Sequence, residues 1–138
     1  MILIATLNHL PMPPSINESY IQVGIHRVSS SSHKKFKLLM QRWGLLNYNK
    51  IQNIKKKLDK IDGSGRVCLS FVFKFPASKL TLKNTTMPKK LDTSNRIKSS
   101  EDAVCKLLGF DDRFVFKLIA EKVEGKIEEF DCSVYNLD

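Results

Sequence analysis

Cysteine is scarce in this chain. Three occur in 138 residues, and no two are close. Cys68, Cys105 and Cys132 form no C-x-x-C pair, and His9, His26 and His33 lie far from them. That argues against a zinc site and against a disulfide framework, and leaves buried free thiols in a reducing compartment. Long apolar runs are missing as well: none approaches the roughly 18–20 residues of a membrane span. The N-terminus, Met1-Ile2-Leu3-Ile4-Ala5-Thr6, has no basic leader and is too short for a signal peptide. A cytoplasmic protein is the expectation. Acids are outnumbered too, with 14 Asp and Glu against 23 Lys and Arg, a formal net charge of +9. Such a balance favours a polyanion, because each neutralised phosphate releases counterions. Nucleic acid comes first and an anionic membrane surface next; the plain alternative is charge that only maintains solubility.

What is present suffices for one domain over residues 1–138, with 42% hydrophobic residues to build a modest core. Residues 2–9 are apolar and β-branched and predict a strand. Three prolines make Leu10–Tyr20 a rigid loop, with Ser15 and Asn17 able to bond backbone. A short strand is expected over 21–28. The serine run 29–32 offers a helix cap. Phe36, Leu39, Met40, Trp43 and Leu46 then fall at helical spacing, and Ile51, Ile54, Leu58 and Ile61 predict a second helix. Its other faces carry Lys50, Lys55, Lys56, Lys57 and Lys60, either a solvated face or a track for phosphates.

Val67, Leu69, Phe71, Phe73 and Phe75 alternate as a strand up to Pro76. A loop with a short ribbon at 79–83 follows. Ser94 or Asn95 can cap a helix to Leu108, packed through Ile97, Val104, Leu107 and Leu108, with Gly109 as its C-cap. Two strands near 114–123 and 126–135, joined across Gly125, complete the chain as a hairpin. Phe114, Phe116, Leu118 and Ala120 alternate on one face of the first, and Phe130, Cys132 and Val134 on the second. The class is α+β, a mixed or antiparallel sheet packed against helices.

The acids that do occur are concentrated. Asp92 sits where a loop meets the helix. Lys98, Glu101 and Asp102 share one side of that helix at i, i+3 and i+4. Asp111-Asp112 lies just beyond its far end. Carboxylates of this kind hold hard cations such as Mg²⁺, which beside a phosphodiester activate water and stabilise the leaving oxygen. Lys98 would then bind a phosphate or offset transition-state charge. The alternative is a surface helix with Lys98–Glu101 and Lys98–Asp102 salt bridges, followed by a turn.

Three separated pieces resemble the RusA family of Holliday-junction resolvases, endonucleases common in phages and prophages. Leu10-Pro11-Met12-Pro13-Pro14-Ser15-Ile16-Asn17 is similar to the family's Pro-Pro-Ser-x-Asn loop after its opening strand. Lys90-Leu91-Asp92-Thr93-Ser94-Asn95-Arg96-Ile97-Lys98 with Glu101-Asp102-Ala103-Val104 resembles its Asp-x-Asp-Asn-x-x-Lys and Asp-Ala-Leu segment. Gly109-Phe110-Asp111-Asp112-Arg113-Phe114-Val115 resembles its Gly, Asp-Asp, Val ending. Residues 21–65 match no family motif. The resemblance implies an α+β homodimer that nicks four-way DNA junctions in pairs with Mg²⁺ or Mn²⁺, acting on branched DNA and no membrane, in the cytoplasm of a bacterial host. It places metal-binding acids on Asp92 and Asp112, an essential lysine on Lys98, and an acidic helix position on Asp102. Lys89, Lys90, Arg96, Lys55 and Lys56 are candidate phosphate contacts.

One position departs from the pattern. The family's second acid falls on Ser94, a neutral and weaker ligand. Glu101 or Asp102 can supply the missing carboxylate, Ser94 can ligate through water, or the protein binds junctions without cutting. A partner of another class, an acidic host protein, is the remaining alternative for the basic surface.

Overall fold

The alternation at Val67–Phe75 decides where the core lies. The computed structural model describes residues 1–15, 20–23, 26–61, 65–88 and 93–137. Strand β4 (Val67–Phe75) turns Val67, Leu69, Phe71, Phe73 and Phe75 to one face, where all five are buried. It is central in a four-stranded sheet of order β1-β6-β4-β5, with β1 Ile2–Pro11, β5 Val115–Glu124 and β6 Glu129–Asn136. Phe130, Cys132 and Val134 of β6 lie buried on the same face. The rings of Phe71, Phe73 and Phe130 meet at centroid distances of 5.7–6.1 Å. Each fully buried ring contributes about 1.5–3 kcal/mol.

Helices α1 (Ser31–Leu46), α2 (Tyr48–Asp59) and α4 (Ser94–Leu108) cover that face. Their inward residues fall at helical spacing: His33, Phe36 and Met40 on α1, Ile51 and Ile54 on α2, Val104, Cys105 and Leu108 on α4; of the residues expected in these spacings, Leu39 and Leu46 are exposed and Ile61 lies beyond the end of α2. Ser30 caps α1 by accepting from the His33 N–H at 3.2 Å. All three cysteines are free and buried, as the sequence led us to expect. Among the described residues no helix is long and apolar enough to cross a membrane.

Strand β1 carries an irregularity that the sequence does not announce. Leu7 and Leu10 are three residues apart, so an even pleat would send them to opposite faces. Both are fully buried, opposite Cys132 and Phe130. The register slips between them, with His9 at φ 59. The Asp131 carboxylate accepts the His9 N–H at 2.9 Å, and the His9 ring meets Glu129 at 2.8 Å. Pro11 is tolerated in the strand because β1 is an edge.

Several expectations are corrected. The last two strands do not form a hairpin. β4 lies between them, antiparallel to β6 and parallel to β5, so the sheet is mixed. The physical reason is the connection through α4: a helix returning the chain to the sheet permits a parallel neighbour. β5 is thereby an edge, and Phe116 and Leu118 stay 64% and 42% exposed instead of entering the core. Phe114 belongs to the 3₁₀ turn Asp112–Phe114, not to the strand. The single strand expected over 21–28 is a pair, β2 (Tyr20–Val23) and β3 (His26–Ser29), antiparallel to one another. In place of a ribbon at 79–83 there is one helical turn, α3 (Ala77–Leu80), which Pro76 can precede without losing a bond, and then a bridge between Thr81 and Pro88. The N-cap position of α4 is Thr93, not Ser94 or Asn95, and its side chain makes no capping bond. Asn17 and residues 62–64 lie outside the described residues.

Candidate metal centre

The α4 helix and the turn after it bring four of the predicted residues together. Lys98, Glu101 and Asp102 stand on one side of α4, and Asp112 reaches them because the chain reverses at Gly109. Gly109 sits in the left-handed region, φ 69 and ψ 34, and its N–H bonds to the Cys105 carbonyl. The Phe110 N–H bonds to the same carbonyl at 3.1 Å. A β-carbon is strained in that region, so glycine suits the position. Asp111 then caps the 3₁₀ turn, its carboxylate accepting from the Arg113 N–H at 2.9 Å. The two adjacent acids therefore differ in role. Asp111 holds the turn, and Asp112 points back to α4.

Lys98 Nζ lies 3.0 Å from Asp102 Oδ1 and 3.8 Å from Asp112 Oδ2. One carboxylate oxygen from each of Glu101, Asp102 and Asp112 can be chosen so that all lie within 4.8 Å of one another. Glu101 is half-buried, while Asp102 and Asp112 are exposed. Burial, above all, raises the Glu101 pKa; Lys98 opposes this, and Asp112 and Asp102 add to it. Lys98 is raised in turn, first by its hydrogen bond to Asp102, with burial opposing and the charges of Asp102, Glu101 and Asp112 assisting. Local charge is thus three carboxylates against one ammonium, in a protein of net +9.

The donor set fits a hard divalent cation. All three groups offer anionic oxygen, and octahedral Mg²⁺ at about 2.0–2.1 Å needs oxygens about 3–4 Å apart. A change of side-chain torsion at the exposed Asp102 or Asp112 covers the difference.

The cluster lies within the stretch that one family model matches. The endodeoxyribonuclease RusA model matches residues 11–129 of the 138. The chain belongs to the RusA family. That family comprises endodeoxyribonucleases that resolve Holliday junctions, generally with a divalent metal. No individual curated protein matches the chain.

Other predicted site residues are distributed as follows. Asp92, Lys89 and Lys90 lie outside the described residues. Ser94, where the motif departs from the family, is the exposed first residue of α4. The Arg96 guanidinium stacks over the Phe75 ring at 5.3 Å. Lys55 is half-buried on α2 and Lys56 is exposed one residue on.

Two features were missed in the sequence. Cys105 lies under the acidic cluster one turn beyond Glu101, and its thiol is pushed up to about 12, first by burial and then by Glu101, Asp112 and Asp102. Only the helical i, i+4 spacing from Glu101 could have pointed to it. The second is the ion-pair network at the β1 irregularity. Lys74 lies 2.8 Å from Asp131 and 3.7 Å from Glu129, and Glu129 also meets the His9 ring. Its sequence trace is the Glu129-x-Asp131 alternation on β6.

Proposed function

We propose that this RusA-family chain forms one functional domain, a divalent-metal-dependent endonuclease that cuts four-way DNA junctions by paired nicks as a homodimer. The observation that carries the reading is the gathering of Glu101, Asp102 and Asp112 around Lys98 in a chain otherwise dominated by cations. Asp112 and Asp92 hold the ion, and Glu101 or Asp102 supplies the carboxylate that the family pattern would place at Ser94. A Mg²⁺ or Mn²⁺ ion there supplies Lewis acidity at phosphoryl oxygens and lowers the pKa of an attacking water. Lys98, kept charged by its acidic neighbours, binds the scissile phosphate and offsets the charge that develops on it. The surrounding lysines hold the flanking backbone, which makes binding steeply salt-dependent. A two-fold protein suits two nicks placed symmetrically in a four-way junction. The setting is the cytoplasm of a bacterial host, with a phage or prophage source.

A second reading rests on Ser94. Loss of an acid there would leave a protein that binds branched DNA without cutting it. One assay separates the two: a synthetic four-way junction incubated with Mg²⁺, Mn²⁺ or EDTA. The nuclease reading expects metal-dependent paired nicks, abolished by Asp112→Asn and Asp92→Asn with junction binding retained. Normal cutting by Asp112→Asn would remove the site assignment. No cutting by the wild type, together with activity gained by Ser94→Asp, would establish the second reading.

A further inference from the structure

Beside the acidic cluster, a groove of about 670 Å³ runs between α1, α2 and α4. Its volume falls within the range of about 300–1,000 Å³ typical of small-molecule sites. Phe36, Met40 and Ile51 form a buried apolar floor, and Ala103 and Leu107 extend it along α4. Tyr48 stands at the rim, 60% exposed. Lys37, Lys55 and Lys106 border it, and none of the three is in an ion pair among the described residues. Asp102 belongs to both places: it lines the groove and is part of the acidic cluster. The α1 and α4 helices approach closely at the floor: a β-carbon on Gly44 would lie 2.7 Å from Leu107 Cδ1, and the leucine side chain would have to shift.

We propose that this groove takes up one unpaired base of the DNA strand whose phosphate lies at the acidic cluster. The inference rests on the nuclease reading above and extends it to how a branched strand is held. A base has an apolar face for the floor and Tyr48, while its flanking phosphates need the cations of the rim. Stacking on an aromatic side chain is sequence-tolerant, which suits recognition of a branch instead of a sequence.

Charge argues against a second copy of the chain as the occupant. Residues 31–59, which form α1 and α2, contain eight Lys and Arg and one acid, Asp59. The groove's lining carries Lys37, Lys55 and Lys106 against Asp102, so a two-fold contact centred on α1 and α2 would set mostly cations against cations, whereas a nucleotide brings the opposite charge.

The test is a thermodynamic cycle between protein and DNA. Four-way junctions are made with one abasic nucleotide at each position flanking the branch point. Their affinities for wild type and Tyr48→Ala are measured in Ca²⁺ in place of Mg²⁺, with sedimentation of both proteins alongside. Comparing the two proteins cancels the unstacking cost that the abasic site removes from the DNA. We expect one position at which the abasic nucleotide weakens wild-type binding about ten-fold relative to Tyr48→Ala, the size of one base–aromatic contact. Junction binding with no position coupled to Tyr48 would overturn the inference and leave the nuclease reading intact. A fall in sedimenting mass for Tyr48→Ala would also overturn it, by making the rim a subunit contact. Absence of all junction binding would overturn both.

Discussion

Replacing Lys98 by methionine should separate a metal centre from a salt-bridged surface helix. Nζ is 3.0 Å from Asp102 and 3.8 Å from Asp112. At the dielectric of water these distances correspond to about 1.4 and about 1.1 kcal/mol of attraction. All three side chains are about half exposed. Salt screening and the entropy of holding them reduce the sum to about 1 kcal/mol. An incoming cation must displace that attraction and also meets the repulsion of the ammonium itself. Lys98→Met removes both, so Mn²⁺ should bind about five-fold more tightly, since 1.4 kcal/mol is a factor of ten. Cleavage should nevertheless fall about a hundred-fold, the typical cost of losing a group that stabilises developing charge. Isothermal titration with Mn²⁺ and a junction-cleavage assay provide the two readouts. Weaker Mn²⁺ binding by Lys98→Met would refute the competition between lysine and ion, and unchanged cleavage would refute the role of Lys98 at the phosphate. A salt-bridged helix with no metal site would show no saturable Mn²⁺ uptake in either protein.

Glu101→Gln tests the same cluster through pH. The folded Glu101 pKa is raised, chiefly by burial, so its favourable contribution is complete below the unfolded value near 4.5 and is lost as pH rises through the folded value. At neutral pH, without metal, Glu101→Gln should therefore melt above wild type, and the gap should close as the pH is lowered below 4. Added Mn²⁺ should raise the wild-type melting temperature more than the variant's; equal shifts would remove Glu101 from the ligand set. Gly109→Ala addresses the turn. Its new β-carbon would meet Lys55 at 3.5 Å, an ordinary contact, so the cost is conformational, about 1 kcal/mol by urea denaturation. Gly109→Asn should recover part of it, because asparagine tolerates the left-handed region; an alanine variant as stable as wild type would exclude this cap.

Much of the chain was legible wherever one face is buried and one is not. The periods of β4, α1, α2 and α4 appear in the sequence because burial sorts apolar from polar residues on each element. Pairing was less legible. β5 and β6 are sequence neighbours joined across Gly125, and local signals favour a hairpin. The insertion of β4 between them depends on contacts with residues far earlier in the chain, which no local pattern encodes. The slip in β1 was hidden for a similar reason: its holding carboxylates, Asp131 and Glu129, are more than a hundred residues away. In the cluster, Lys98, Glu101 and Asp102 could be placed together from helical spacing alone. Asp112 joined them only through the reversal at Gly109; spacing alone could not tell it from Asp111, and only the family resemblance singled it out.

That reversal carries more of the site than its size suggests. Glu101, Asp102 and Asp112 repel one another, and Lys98 offsets only part of the repulsion, so the acids do not gather for their own benefit. The scaffold holds them. Val104, Cys105 and Leu108 anchor α4 to the sheet, Gly109 turns the chain, and Asp111 locks the next turn through the Arg113 N–H. Asp112 has no buried anchor of its own, since none of Asp112, Arg113 and Phe114 is buried. A local opening of this turn would release Asp112 from the cluster while the sheet and its helical layer stayed folded. Metal bound at the cluster would oppose that opening, because the ion is held best when Asp112 is in place. Amide exchange at Phe110, bonded to the Cys105 carbonyl, reports on the reversal directly. It should slow on adding Mn²⁺ to wild type and remain unchanged in Asp112→Asn. Equal slowing in both proteins would show that the turn is set by the fold alone and that metal binding does not act through Asp112.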